Sequence, residues 1–468
     1  MAAIIDFLNT IFWNYILIYG LLAVGVYFTL RLGFIQVRRF PEFIRTVLKA
    51  PQSDRGGISP FQALCTSLAS RVGTGNMTGV AVALYLGGPG AIFWMWVVAI
   101  IGMATAYAES TLAQLYKMRD QNGQLRGGPA FYISKGLKAP WAGAVFSLAL
   151  ILAFGLVFNA VQANSIAGAM EGAFGIDTSV TGIVIMLLAA IVIFGGIKKI
   201  ARFAEIVVPF MAVLYLLLAL YVIFANISDV PAAFALIFKS AFGIEQAAGG
   251  VLGAMLNGVK RGLFSNEAGM GSAPNIAAVA TPNPHHPASQ GMVQSLGVFI
   301  DTLLICTATA LMILLSGALG NGQTGIALTQ TALTTHIGSA GQYFVAIAIF
   351  FFAFTSIIGN YSYAENALTY LKWANKPGIF ILRILALGMI PWGAYESVAV
   401  VFNTADAAMG LMATINLIAI MMLSGLVVKL TKDYFTQLKT HTPVFNSDDY
   451  PEVRDDIDLS VWDEKTSK

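Results

Sequence analysis

From Phe7 to Lys429 the chain presents one long apolar run after another, and that succession constrains its fold more than any other feature. A helix needs roughly 20 predominantly apolar residues to cross a bilayer. Backbone N–H and C=O groups in hydrocarbon must be paired inside the protein, so a chain built of such runs folds as a bundle of membrane helices. Charged residues make up only 11% of the chain, against about 25% in a soluble one, which leaves no room for a sizeable soluble domain. The exception is 431–468, where Lys432, Lys439, Asp448, Asp449, Asp455 and Asp456 stand among few apolar residues. It reads as a cytosolic tail. The N-terminus carries Asp6 and no basic residue before its first run, unlike a cleaved signal, so that run is expected to remain as a helix.

Runs bounded by charge, Gly and Pro give eleven spans: Asn9–Leu30, Ser59–Leu86, Gly90–Tyr116, Trp141–Met170, Thr178–Gly196, Ala204–Ala225, Ala247–Ala280, Ala288–Leu319, Gly341–Tyr370, Gly378–Val400 and Ala405–Val428. Cytoplasmic loops carry the excess of Lys and Arg. Arg31, Arg38, Arg39, Arg45, Lys49 and Arg55 follow the first span; Lys117, Arg119, Arg126, Lys135 and Lys138 the third; Lys198, Lys199 and Arg202 the fifth. Lys372 and Lys376 follow the ninth, and Lys429, Lys432 and Lys439 the eleventh, whereas the intervening loops hold only Lys239. The pattern predicts an N-terminus outside, a C-terminus in the cytosol and a multi-pass place in a bacterial inner membrane. The same placement explains the net charge of +3 without a nucleic-acid partner. Val230–Phe242 and Thr324–His336 are apolar but too short to span, and are expected to lie over the external face; Phe34–Leu48 reads as a cytosolic interfacial helix.

Two spans are interrupted at membrane depth. The second holds Gly73, Thr74, Gly75 and Asn76 near its middle, and the seventh holds, between Asn257 and Pro274, Gly262, Ser265, Asn266, Glu267, Gly269 and Gly271. Non-helical backbone there is tolerated only where it is buried in protein or lines a cavity. A break also creates a half-helix N-terminus suited to a carboxylate and a C-terminus suited to a cation. An amino acid offers both signs. Glycine alone can mean close helix packing, which suits Gly155, Gly168 and Gly410 better, but here Asn, Ser, Thr and Glu join it. With the first span set aside, the interrupted helices head two groups of five. Five is odd, so the groups run in opposite directions, the pattern of an inverted repeat with its site between the halves.

In Ser59–Gly79 (SPFQALCTSLASRVGTGNMTG), Gly87–Ala108 (GGPGAIFWMWVVAIIGMATAYA), Gln162–Ile166 (QANSI), Arg261–Pro274 (RGLFSNEAGMGSAP) and Gly297–Ala310 (GVFIDTLLICTATA), the chain resembles the alanine or glycine:cation symporter family, the amino acid carrier proteins. The resemblance implies an all-α, leucine-transporter-like fold of two inverted five-helix repeats plus one N-terminal helix, carrying small neutral amino acids with sodium. The division is then 1–57 for the extra helix and interfacial helix, 58–226 and 227–430 for the repeats, and 431–468 for the tail. By the same resemblance a sodium ion sits between the second and ninth spans. It is held by the carbonyls of Ala69, Val72 and Phe352 and the hydroxyls of Thr355 and Ser356, unless these hydroxyls bond back to their own helix. For the amino acid, the N–H groups around Thr74, Gly75 and Asn76 suit the carboxylate, carbonyls near Gly262–Ser265 the ammonium, and Gln162 a side-chain hydrogen bond. Gly79, Ser265 and Asn266 belong to the same breaks, and Phe264, Asn360 and Tyr361 are expected to limit side-chain volume. Serine or another neutral amino acid, with sodium or a proton, remains the alternative cargo.

Ionisable residues in apolar runs need partners or water. Arg71 and Glu267 are expected to approach one another and help close the cytosolic path, Lys260 and Arg261 to face an outer vestibule, and Glu109, Asp301, Glu365 and Asp406 to pack or gate. His285 and His286 read as loop surface, Trp94 and Trp96 as helix interface, and Cys65 and Cys306 as buried small hydrophobes. No span carries a nucleophile and base or a metal-binding motif, so an enzyme is not expected. Paired breaks favour alternating access over a passive channel. No cofactor beyond the coupling ion is called for, nor any obligate protein partner beside the lipid bilayer.

Overall fold

The computed structural model describes residues 2–48, 57–121, 123–194, 197–243 and 250–462, with the side chains of 2, 197–201 and 203–205 also outside it. Lys49, Arg55, Gly196 and the start of the seventh span at Ala247 therefore lie outside the described residues, as do the side chains of Lys198 and Lys199. Eight described helices are long and apolar enough to cross a membrane: Ala3–Arg31, Gly90–Leu115, Pro140–Phe174, Ile206–Ala225, Pro287–Ser316, Ala340–Tyr370, Lys376–Tyr395 and Val398–Met422. They fall on spans one, three, four, six and eight to eleven. The fifth span is the shorter apolar helix Thr178–Ile193, with Val180, Ile183, Val184, Leu187 and Ile191 exposed along one stripe, as suits a helix facing lipid. The second and seventh fall below that length because each is interrupted. Pro60–Arg71 is separated from Val80–Gly87, and Gly250–Asn266 from Pro274–Val279.

The interrupted helices lie within the bundle, and close approach to Gly90–Leu115 requires glycine. A Cβ on Gly258 would come within 2.4 Å of the Ala91 carbonyl, and one on Gly262 within 2.4 Å of Val98 Cγ1. Three long helices contain π-helical turns, at Thr10–Leu17, Ile151–Val157 and Phe299–Cys306. Such turns loosen the backbone ladder. The last presents Asp301 and Cys306 to the middle of the bundle.

Among the described residues, the segments that follow the first, third and eleventh spans and the end of the ninth are linked by contacts. Arg39 lies over the Phe435 ring, Arg126 sits 3.8 Å from Glu365, and Lys138 pairs with Asp456. Val230–Phe242 and Gly325–Ile337 are helical as expected; Phe238 and Phe242 of the former pack on Phe93. The 34–48 segment is two helices, Ile35–Arg38 and Phe40–Leu48, because Arg39 leaves helical geometry, and Phe43 and Val47 are buried.

The C-terminal segment also departs from expectation. Ser424–Gln437 is a helix that runs across the expected boundary at 430/431, and the chain beyond it folds back with Phe445, Tyr450 and Trp462 buried. His286 is no loop surface. It is fully buried, its Nδ1 accepts the Ala288 N–H to cap helix Pro287–Val298, and its Nε2 lies 3.3 Å from Asp433.

Candidate functional site

The first break begins from a well-specified helix start. Ser59 and Gln62 form a reciprocal capping box and Pro60 occupies the first turn, fixing where Pro60–Arg71 begins. The helix ends where Val72 turns extended, and the chain resumes through a π turn, Gly75–Gly79. The freed N–H groups meet neutral side chains. Gly73 N donates to Asn76 Oδ1 at 2.9 Å, and Thr74 N to Gln162 Oε1 at 3.1 Å. Gly75 touches the other broken helix: a Cβ there would lie 2.8 Å from Ser265 Cα.

At the C-terminal end of Pro60–Arg71, the last carbonyls lack partners within the helix. Ser356 Oγ lies 2.9 Å from Ala69 O, 3.5 Å from Val72 O and 3.1 Å from Phe352 O, and Thr355 Oγ1 donates to Phe352 O at 2.8 Å. All five residues expected around sodium thus meet at one buried point. Thr355 bonds back to its own helix, whereas Ser356 also reaches across to the broken one.

The second break is held by carboxylates. Glu267 takes a left-handed backbone (φ 58°), followed by Gly269 (φ 86°) and Gly271 (φ 85°). Glu267 approaches Arg71 closely enough for their charges to attract, as expected, although the two share no hydrogen bond. It accepts hydrogen bonds from Ser70 and Ser272, while Arg71 donates to the carbonyl and side chain of Gln294. Glu109 accepts the Gly269 N–H at 3.1 Å and the Asn416 amide at 2.7 Å; that amide also reaches Gly269 O. Asp301 joins the two breaks, accepting from Asn76 Nδ2 at 2.8 Å, Ser265 Oγ at 2.8 Å and Thr302 Oγ1 at 2.7 Å. Cys306 is more than a small hydrophobe, since its sulfur is 3.3 Å from Asn76 Nδ2 and 3.2 Å from Ser265 Oγ.

Helix Gly250–Asn266 extends further than expected. The Leu263 carbonyl is used by the Glu267 N–H, which moves the end of the half-helix to Asn266. Asn266 Oδ1 accepts the Ala268 N–H just past the helix end, and its Nδ2, like Thr74 Oγ1, is buried without a partner among the described residues. Phe264 stacks on Phe158 (ring centroids 4.8 Å apart) and packs against Phe402 (5.3 Å), with Gly79 beside it. Asn360 accepts from Ser70 and donates to Asn159. Tyr361, one residue and about 100° further round the helix than Asn360, has its hydroxyl accepting from Arg383 on Lys376–Tyr395.

Arg261 does not face an open vestibule. It is buried, ion-paired with Asp406, and stacked over Phe264 and Phe402 at 5.6 and 5.0 Å. Lys260 lies 3.9 Å from the same carboxylate and over the Trp13 ring. Glu109, Asp301 and Asp406 are visible in the sequence only as charges in apolar runs.

Polar side chains and broken backbone gathered inside a bundle of apolar helices define a membrane carrier with discontinuous helices. The chain belongs to the sodium:alanine symporter family, whose model matches residues 1–447. It is 51% identical to the "Probable sodium/glutamine symporter GlnT" of Bacillus subtilis, over 95% of this chain and 93% of that one. It is 48% identical to the "Amino-acid carrier protein AlsT" of the same organism, over 99% and 98%. Among solved structures, a mutant manganese transporter of Eremococcus coleocola aligns with a TM-score of 0.52 at 13% identity, over 81% of this chain and 80% of that one, a likeness of fold alone.

Proposed function

We propose that the protein imports a small neutral amino acid, alanine or glycine, by symport with sodium through alternating access, as two inverted five-helix repeats behind one N-terminal helix. One observation carries the reading. The half-helix carbonyls of Ala69 and Val72, freed from the helix ladder, converge with Phe352 O on the Ser356 hydroxyl, supplying the uncharged oxygens that a hard monovalent cation takes in place of water. In this reading Ser356 turns its lone pairs to the ion. The substrate carboxylate displaces the amide oxygens of Asn76 and Gln162 from the N–H groups of Gly73 and Thr74, which leaves the buried Thr74 Oγ1 and Asn266 Nδ2 within the same polar region for further contacts. The Phe158, Phe264 and Phe402 stack then bounds the side chain.

The excess of Lys and Arg at the end that carries the C-terminus supports a cytosolic placement of that end. Uptake of labelled alanine into proteoliposomes, with and without a sodium gradient, tests the reading; accumulation indifferent to both sodium and proton gradients would sink it. The relative named as a probable sodium/glutamine symporter supports a second reading in which the cargo is glutamine. Competition by alanine, glycine, serine and glutamine separates the two.

A further inference from the structure

The inner halves of the two broken helices are joined where they leave the bundle. Ile58 N donates to Val279 O at 3.2 Å and Thr281 N donates to Ile58 O at 3.0 Å, a short parallel bridge between Ile58 and Ala280. Any pathway that opens at this end by parting these halves must break it. The Ala280 carbonyl is held from the other side by Gln114 Nε2 at 2.9 Å and Lys117 Nζ at 3.1 Å, just past helix Gly90–Leu115.

Lys117 is buried, and what covers it is the C-terminal segment. Its Nζ lies 4.9 Å from the centroid of the Trp462 ring. Trp462 is itself fully buried, donates from Nε1 to Leu115 O at 3.1 Å, and packs against the rings of His285 (5.1 Å) and Phe445 (5.0 Å). Phe445 N donates to His285 O at 2.8 Å, tying the segment to the loop that follows Ala280. Asp458 accepts the Arg119 N–H at 3.0 Å, and Asp456 pairs with Lys138, fixing it across the hairpin after Lys117. The match to the family model ends at residue 447, so Trp462 lies outside the matched residues.

We propose that residues 445–462 form a strap that holds this gate closed, acting through Trp462 on Lys117 and through Lys117 on Ala280. With the indole in place, Lys117 Nζ is shielded and its hydrogen bond to Ala280 O meets little competition from water. Without it, water solvates that nitrogen and the bridge loses a tether. The strap biases a two-state element and therefore sets how often the path opens to the proposed cytosolic side. It rests on the two inner halves parting at this end, which the symport reading also requires.

The test reads the gate without substrate or sodium, so its failure is distinct from a failure of symport. Ile58 and Ala280 face one another across a parallel bridge, where neighbouring backbones lie about 4.8 Å apart, inside the Cα range of about 4.4–6.8 Å that a disulfide accepts. The native cysteines, Cys65 and Cys306, are buried and offer no competing cross-link. The full chain carrying Ile58→Cys and Ala280→Cys is oxidised in lipid nanodiscs and its cross-linking rate measured with and without Trp462→Ala, and separately with and without Lys117→Met, which keeps side-chain length but removes the donor. The expected result is roughly tenfold slower cross-linking in both variants, within the usual range for coupled sites. A folded variant of either kind that cross-links at the parent rate overturns the strap. Should Trp462→Ala fail to fold, Lys117→Met decides alone.

Discussion

The two breaks solve the same problem with different chemistry. At the first, the freed N–H groups of Gly73 and Thr74 are met by the neutral amides of Asn76 and Gln162, and the freed carbonyls by the hydroxyl of Ser356. At the second, the Gly269 N–H is met by the Glu109 carboxylate, and Glu267 is held by two serines. Asn76 and Gln162 offer lone amide oxygens that a ligand can displace, whereas Glu109 is itself held by Asn416, which also grips Gly269 O, so the second break is built as a frame. Asp301 ties the exchangeable break to the fixed one through Asn76 and Ser265.

The contact between the breaks carries the largest expected effect. Gly75→Ala places a methyl 2.8 Å from Ser265 Cα, a backbone atom that cannot yield without moving the second break. Overpacking of this kind costs about 1–3 kcal/mol, and transport should be lost even where folded protein is recovered. Normal uptake by Gly75→Ala in proteoliposomes would show that the breaks do not depend on this contact. Next comes Glu109→Ala, which leaves the buried Gly269 N–H unpaired at a cost of about 1–3 kcal/mol. Its melting midpoint in detergent should fall more than that of Gln162→Ala, which strands only the Thr74 N–H beside a region the substrate is proposed to enter. Equal losses would erase the distinction between frame and exchangeable partners.

A smaller effect, confined to one ligand, is expected at the neutral break. Ser356→Ala removes one oxygen from the carbonyl cluster and no charge. The sodium concentration for half-maximal uptake should rise about tenfold, equivalent to about 1.4 kcal/mol, with the melting midpoint nearly unchanged. A variant that needs more amino acid but no more sodium would move the ion elsewhere.

This asymmetry was half legible in the sequence. Gly73, Gly75, Gly269 and Gly271 mark the breaks because few other residues allow such backbone at membrane depth, and basic residues mark the segments after the first, third and eleventh spans that contacts link. The sodium-directed residues lie on two helices that the resemblance already paired. What joins each break to its surroundings was not legible, because the partners are far apart in the chain. Asn416 reaches Glu109 across 307 positions and Asn76 reaches Asp301 across 225. Local spacing carries no signal for such pairs. The same holds at the C-terminus, where Phe445, Tyr450 and Trp462 follow neither a helical nor a strand period. The surface that buries them is assembled from the end of one long helix, a hairpin and the loop after Ala280.

The least effect is expected at that end, away from both breaks, and it fixes what the comparison should leave untouched. His286 is buried against Asp433, Tyr434 and Phe445 at the start of helix Pro287–Val298. Burial pushes its imidazole below the ordinary histidine value, although the hydrogen bond to Asp433 pulls the other way. As pH falls, the unfolded chain takes up this proton before the folded chain does. The contribution of neutral His286 is therefore present above the unfolded value of about 6.5 and declines below it. Thermal midpoints of the parent chain should fall as pH drops from about 7.5 to 5.5, and His286→Gln should flatten that slope. Because the amide can still cap Ala288, the variant should keep its half-maximal sodium and amino-acid concentrations at neutral pH. An unchanged pH slope would assign the acid sensitivity to other groups, and a changed sodium requirement would mean that the C-terminal end and the neutral break are coupled after all.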